Sequence, residues 1–354
     1  IDSADKADVL QTVPQSIPYR LRPGARVLLL GETGGVNVWL ARRFDASKIT
    51  VVQRNPQITR LMQEELAAES GGVYQGPDIT VVSKDPRLYL QQTDKAFDII
   101  QFVGAEALPS GSGAMGSLSQ DYLLTREAFG EAYDRLAEGG LIAVTRGIHL
   151  PPRDNIRILS TLSAGIERAA VKTPETTQDA AQRPAASRIA VVRNYLAVTT
   201  IAARPAIAET DKTQIKTMTG PLQLDLVYLP EAQWGGREQR NRLPGPEGKP
   251  YSYYHHAALR ILEAGEASRA DLSLEGPASE SGKSQTNRAD AFPEAFYEDW
   301  VYNVRPATDD KPYFHSFFKW SSLENYIESY GRDWFRRIDL GYAVVTVTFV
   351  EVTV

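Results

Sequence analysis

Few residues in this sequence have the type and spacing for chemistry. The densest group is Gly31-Glu32-Thr33-Gly34-Gly35, between the apolar run Arg26-Val27-Leu28-Leu29-Leu30 and a helical stretch near Val36 to Phe44. Glycines between a strand and a helix let backbone approach a ligand, and the helix N-terminus offers free N–H groups. Gly31, Gly34 and Gly35 are therefore expected to line a ligand, with Thr33 adding a polar contact. The spacing is not Gly-x-Gly-x-x-Gly, and no acid follows the second strand, which argues against a dinucleotide site.

Three further positions fall at strand ends. Gln53 closes the strand Ile49 to Val52, where a carboxylate ordinarily accepts hydrogen bonds from ribose hydroxyls; an amide can accept one, without the charge-assisted part. Asp85 follows the strand Ile79 to Val82 and has two readings, a contact to an adenine amino group and an N-cap for the helix opening at Pro86. Gln101 lies in the fourth strand, Phe97 to Val103, and Glu106 is the only acid in the loop after it. Glu106 reads either as a base toward an amine nucleophile or as a surface glutamate. Gln120, Asp121 and Tyr122 stand further along the same connection.

Composition removes several alternatives. The 354 residues carry 39 Lys plus Arg against 44 Asp plus Glu, a net charge of -5. With no basic run interleaved with aromatics, nucleic-acid binding is not expected. There is no cysteine, which excludes disulfides, thiolate metal sites and thiol nucleophiles. The four histidines have no helical His-x-x-x-His partner, so no dedicated metal site is expected.

The elements that must position these residues alternate. After the first three strands, helices are expected over Asn55 to about Ser70, with Pro56 at the first position, and over Pro86 to Gln92. A long helix over about Ser119 to Ala137, a strand at Leu141 to Thr145 and a helix from Pro151-Pro152-Arg153-Asp154 to about Ala170 follow. Ile189 to Val192 and Tyr195 to Ile201 read as a hairpin. The pattern predicts an α/β, doubly wound, Rossmann-like and mostly parallel seven-stranded sheet with a C-terminal antiparallel hairpin. The expected organisation is a lead-in over 1–20, the Rossmann-like domain over 21–205 and an α+β or irregular extension over 206–330. Within the extension a strand is expected at Leu222 to Tyr228 and a mobile insertion over 266–289.

The aromatic-rich segment Pro306 to Trp320 reads as core packing or as a partner surface. Leu340 to Val354 reads as a terminal strand or as the first turns of a membrane helix beginning near 338. Ile1 to Lys6 has neither an initiating Met nor a signal peptide, and is expected to lie inside a longer chain.

These residues resemble the spermidine-synthase-like superfamily, and most of all bacterial proteins that fuse such a domain to a multi-pass membrane region. The resemblance is carried by Ser16-Ile17-Pro18-Tyr19-Arg20-Leu21-Arg22-Pro23, the glycine loop, Phe97 to Gln101, Leu118 to Thr125 with Glu127-Ala128-Phe129, and Leu150-Pro151-Pro152-Arg153. The most specific stretch is Thr308-Asp309-Asp310-Lys311-Pro312-Tyr313-Phe314, running into Phe317-Phe318-Lys319-Trp320.

The resemblance implies a pocket for S-adenosylmethionine or its decarboxylated form. It also implies a tether to transmembrane helices, with the basic Arg332, Arg336 and Arg337 placing the domain on the cytoplasmic side of a bacterial inner membrane. Aminopropyl transferases of the family carry an acid after the second strand and Asp-x-x-Asp after the fourth. Here those positions are Gln53, Val103 and Glu106, so authentic spermidine synthesis is not expected.

Two functions remain in view. One is a membrane-tethered methyl or aminopropyl transferase with an altered site. The other is an inactive transferase-fold module, without cofactor, that acts as a scaffold in a membrane protein complex or homodimer.

Overall fold

The computed structural model describes residues 5–103, 119–149, 152–172, 184–231, 240–244, 250–263 and 292–330, with positions 348 and 352. Glu106, the insertion over 266–289 and, apart from those two positions, the apolar run 340–354 lie outside the described residues.

The chain opens with 3-10 turns and a short helix α1 (Ile17–Leu21), then enters β1 (Arg26–Leu30), α2 (Val36–Arg43), β2 (Lys48–Gln53), α3 (Pro56–Gln63), β3 (Ile79–Ser83), α4 (Pro86–Gln92) and β4 (Phe97–Phe102). It continues through α5 (Arg126–Asp134), β5 (Leu136–Gly147), α6 (Asp154–Lys172), β6 (Ile189–Arg193) and β7 (Ala197–Ala203). After α7 (Glu209–Thr219) and β8 (Asp225–Tyr228) come the two-residue strands β9 (Leu243–Pro244) and β10 (Pro250–Tyr251). Helices α8 (Tyr253–Leu262), α9 (Phe292–Asp299) and α10 (Leu323–Tyr330) follow.

The expected doubly wound, mostly parallel sheet with a closing antiparallel hairpin is present. It has eight strands rather than seven, in the order β3-β2-β1-β4-β5-β7-β6-β8. The first five pair in parallel, and β7 runs antiparallel between β5 and β6. The extra strand is β8, from beyond residue 205, which pairs with β6 because that edge would otherwise leave ladder groups unpaired.

Several boundaries also shift. α5 begins at Arg126 under the cap of Thr125, α3 ends at Gln63 in place of about Ser70, and β5 extends from Leu136 to Gly147. The β5 extension answers two neighbours at once, since its residues pair with β4 on one side and β7 on the other.

The strands are buried on both faces. Leu28, Leu30, Ile100, Phe102 and Ile142 feed the core beneath α4, α5 and α6. Val27, Leu29, Val51 and Ile99 point the other way, onto Val38, Trp39 and Met62. This is the period-two alternation of a strand inside two helix layers.

The aromatic segment is mostly core: Phe314, Phe317 and Phe318 are buried in the larger cluster, whereas Tyr313 and Trp320 stay exposed. Burial of each such ring stabilises the fold by roughly 1.5–3 kcal/mol. Residues 303–317 lie as a strap across α5 and α6. Arg126 N donates to Ala307 O (2.9 Å), Asp121 N to Pro312 O (2.7 Å), and Arg157 Nη1 to the carbonyls of Phe314 (2.8 Å) and Ser316 (2.7 Å).

α5 and α6 approach closely because both carry glycine at the crossing. A Cβ on Gly165 would lie 2.6 Å from Arg126 O and 2.8 Å from Phe129 Cβ.

Candidate functional site

Strand order reverses direction between β1 and β4, and in an open α/β sheet ligands bind outside the carboxyl ends of the strands at such a point. The glycine loop lies there, at the end of β1. Gly31 and Gly35 adopt positive φ (86° and 80°), the backbone that glycine tolerates without strain. Their roles differ from that of Gly34. A Cβ on Gly35 would sit 2.5 Å from Val73 Cγ1, so this glycine serves packing, while Gly34 faces open space. Thr33 is exposed beside Gly34.

The loop amides are not free. Glu32 is buried, and its Oε1 accepts from Thr33 N (3.0 Å) and Gly35 N (2.8 Å). Its Oε2 accepts from Asn37 N (3.3 Å) and Asn37 Nδ2 (2.7 Å). The carboxylate thus occupies the N-terminus of α2, the place where an anionic ligand group would otherwise be held. Its charge and the low-dielectric surroundings act on two nearby phenols. Burial, and then the Glu32 charge, raise Tyr19 and Tyr74 above the ordinary tyrosine range.

Gln53 is buried at the end of β2. Its Nε2 donates to Glu32 O (2.6 Å) and its Oε1 accepts from Asn55 N (2.9 Å), so both ends of the amide brace the loop. Gln101 is buried likewise. It accepts from the Tyr19 hydroxyl and donates to Asn37 Oδ1 (2.7 Å). Tyr74 closes the arrangement by donating to the carbonyls of Glu32 (3.2 Å) and Thr33 (3.0 Å). The structure therefore brings Gln53 and Gln101 to the glycine loop, but through Glu32 and Asn37 and with their polar ends already engaged.

Asp85 caps α4 as its position after β3 predicts: Oδ1 accepts from Arg87 N (2.9 Å) and Leu88 N (3.2 Å). Its Oδ2 pairs with Arg54 Nη2 at 3.0 Å, and Arg54 is largely exposed. Beside this pair opens a cleft of about 490 Å³, lined in part by Arg54, Asp85, Gln91, Gln120, Tyr122 and Asp309. An adenine amino group could reach Asp85 only by sharing or displacing Arg54.

The residue that organises this cleft was not among those expected. Arg87 is buried beneath it and joins three parts of the sequence. Its Nε and Nη2 donate to Glu131 (2.5 and 2.8 Å), its Nη1 to Tyr122 O (2.8 Å) and Thr125 Oγ1 (3.0 Å), and its Nη1 and Nη2 to Asp309 (3.1 and 3.0 Å). The planar fork of arginine suits such paired carboxylate contacts. The stretch Thr308 to Phe314 thus acts as a clamp on the Rossmann-like sheet. An arginine two residues after a capping aspartate carries no local signal of that partnership, because Asp309 is 222 residues away.

Asp121 is spent on a turn, with Oδ1 accepting from Leu123 N (3.0 Å) and Leu124 N (3.3 Å), and burial raises its pKa. Val103 is only partly buried, packing against the Val38 and Trp39 side of the core. Among the described residues no group of three or more His, Cys, Asp or Glu side chains could hold a metal ion.

By sequence, no family model and no curated protein matches this chain. By structure the chain is similar to a spermidine synthase in complex with the transition-state analogue AdoDATO, at 14% identity over 65% of this chain and 68% of that one, with a TM-score of 0.38. It is similar to a probable spermidine synthase from Corynebacterium glutamicum at 16% identity, over 61% and 71% of the two chains, with a TM-score of 0.40. It is also similar to human methyltransferase-like protein 13 in complex with SAH at 14% identity, over 59% and 89%, with a TM-score of 0.39. The chain has an α/β Rossmann-like fold with a mostly parallel sheet and antiparallel C-terminal strands.

Proposed function

We propose that this domain binds an adenosyl ligand of the S-adenosylmethionine type along the carboxyl edge of β1, β2 and β3, and that it descends from, or acts as, a sulfonium-dependent transferase. The observation that carries this reading is the Glu32 carboxylate seated on the loop amides. A dinucleotide would need those N–H groups for its pyrophosphate, and a second anion beside a buried carboxylate is repelled. A sulfonium is a cation and gains from the same charge. Gly34 leaves room at the loop, and Asp85 stands at the end of β3 with its carboxylate shared with the exposed Arg54.

Catalysis at such a site is mainly positioning, since the sulfonium carbon is already activated. Glu106 stays a candidate base of this proposal. Authentic spermidine synthesis is disfavoured by Gln53 and Val103. Calorimetry with S-adenosylmethionine, its decarboxylated form and 5′-methylthioadenosine tests the reading. Binding of at least one supports it, and no heat of binding at millimolar ligand sinks it.

A second reading is favoured by one observation. Gln53 bonds the Glu32 carbonyl and Asn37 links the Glu32 carboxylate to Gln101, so these polar groups engage one another, as in a fold kept for its shape. That reading is a non-catalytic scaffold module in a membrane complex or homodimer.

In both readings the domain is tethered to the cytoplasmic face of a bacterial inner membrane by adjoining helices. This rests on the resemblance, and among the described residues no helix is long and apolar enough to cross a membrane. Fractionation of cells expressing the full-length protein checks it: recovery in the soluble fraction counts against the tether.

A further inference from the structure

The loop after β5 carries a polar group that the proposed function does not use. Asp154, the first residue of α6, is buried, with 3% of its side chain exposed. Three nitrogens face its carboxylate, each slightly beyond hydrogen-bond length: Arg146 Nη2 at 3.4 Å from Oδ1, and Arg153 Nε at 3.6 Å and His149 Nδ1 at 3.8 Å from Oδ2. Asp154 Oδ1, His149 Nδ1 and Arg153 Nε are all shielded from solvent and have no hydrogen-bond partner among the described residues. Buried polar atoms left in this state call for an explanation.

The histidine is asymmetric. Its Nδ1 is shielded and turned toward Asp154, yet 41% of the side chain is exposed. The exposure therefore falls on the other atoms of the side chain. A carboxylate facing Nδ1 favours the tautomer with the proton on Nδ1, which leaves a lone pair on Nε2.

The loop is pinned on both sides, by Ile148 N to Leu196 O (2.8 Å) and Asn155 Nδ2 to Gly147 O (3.0 Å). Guanidiniums hold the aspartate in turn. Arg146 packs over Phe314 (5.3 Å) and Arg153 over Phe317 (5.1 Å), so the aromatic strap forms the back wall.

The position is also apt. Val144 of β5 is in register with Phe102 of β4, and β4 adjoins β1. β5 runs on past Val144 to Gly147, so His149 stands beyond the same carboxyl edge as the glycine loop, with a lateral offset of two strand spacings, about 10 Å. Among the other described groups near this edge, Asp121 is occupied by its turn, and His315 is pushed down to about 4 by burial and by Arg146.

The geometry points to His149, oriented by Asp154, as the general base for the acceptor nucleophile, in place of the acid missing at 103. This inference rests on the adenosyl-transferase reading. In the step, the acceptor nitrogen or oxygen forms a bond to the sulfonium-bound carbon, and the carbon–sulfur bond breaks with its electron pair passing to sulfur. The acceptor proton moves to His149 Nε2. A cationic sulfonium becomes a neutral thioether while imidazole becomes imidazolium, so charge is conserved and settles beside Asp154.

The test combines three measurements on the full-length protein. Calorimetry with S-adenosylmethionine and its decarboxylated form reads donor binding. Release of thioether nucleoside with pooled primary amines and alcohols reads turnover. Diethyl pyrocarbonate labelling of His149, followed by mass spectrometry with and without 5′-methylthioadenosine, reads whether His149 lies at the site.

The expected result is unchanged donor affinity in His149→Gln and a fall in turnover of about 100-fold or more. His149→Gly should regain turnover with added imidazole, which a merely structural role would not allow. Bound thioether should slow labelling of His149 at least severalfold.

Donor binding together with turnover within threefold of wild type in His149→Gln overturns the inference alone. So does equal labelling with and without ligand. Absence of any adenosyl binding overturns the transferase reading and this inference with it.

Discussion

Gln53 Nε2 donates to the main-chain oxygen of Glu32 at 2.6 Å, so the side chain at the end of β2 holds the glycine loop instead of reaching outward. An acid at position 53 would turn this donor into an acceptor facing a carbonyl. Gln53→Glu is therefore expected to destabilise the domain by about 2 kcal/mol. It would not restore a ribose acceptor without cost. Urea unfolding followed by circular dichroism checks this, and an unchanged midpoint would count against the loop-bracing role.

The Glu32 carboxylate accepts four hydrogen bonds, three of them from backbone N–H groups. Glu32→Ala leaves those amides without a partner and removes the charge at the N-terminus of α2. The expected loss is about 3 kcal/mol. In a sulfate titration the variant should gain affinity for the anion, because its loop amides are exposed. Equal sulfate response in both proteins would show that the amides were never the limiting donors.

Gly35 and Gly165 serve backbone approach. A methyl group at Gly35 meets Val73 in a positive-φ conformation, and one at Gly165 meets the α5 backbone. Gly35→Ala and Gly165→Ala should each cost about 1–3 kcal/mol. Gly34→Ala meets nothing within 4 Å and should be nearly neutral for stability. If it weakens adenosyl binding at the same time, the open face of the loop is the ligand face.

Arg87 ties Glu131 and Asp309 together. Both carboxylates keep partial solvent access, so the cost of Arg87→Met is discounted to about 2 kcal/mol. The local effect should exceed the global one: amide exchange at 307–312 should accelerate while β1 and β4 stay protected. Uniform acceleration across the domain would mean that the strap is not a separate clamp.

His256 and His315 are both pushed down to about 4, chiefly by burial and then by Arg260 and Arg146 respectively. The unfolded value is near 6.5. Each histidine therefore binds its proton more readily unfolded. Their contribution to stability is complete above about pH 6.5 and is lost as pH falls toward 4. Replacement by Gln at either position should flatten that slope, each site contributing on the order of 2 kcal/mol. Unfolding free energies measured across this range decide the matter.

Much of the fold is legible in the sequence. Arg26 to Leu30 had to be a strand buried on both faces, because five residues so largely apolar fit nowhere else ahead of a glycine loop. Asn55 with Pro56, and Asp85 with Pro86, announced two helix starts, and both caps form as expected, each aspartate or asparagine oxygen taking the amide two residues on. These features are local: chain sterics and hydrogen bonding within a few residues decide them.

What lay beyond the sequence depends on distant pairs. β8 joins the sheet because β6 offers an open edge. Arg87 meets Asp309, and Arg146, Arg153 and His149 gather around Asp154, with Arg146 over the ring of Phe314 and Arg153 over that of Phe317. At the site, the residue types at 31–35, 53, 85 and 101 mark a ligand edge, but not which polar groups remain free. Glu32 turns inward because a buried carboxylate is stabilised by the amides it caps, and Gln53 and Gln101 follow it through shared hydrogen bonds. The sequence by itself determined a Rossmann-like sheet with a glycine loop at its carboxyl edge, since periodicity and turn chemistry are short-range. Only the tertiary structure decided that the loop is filled by its own glutamate and that a histidine stands beside a buried aspartate across the same edge. Satisfaction of buried polar groups is settled by what the whole chain brings together.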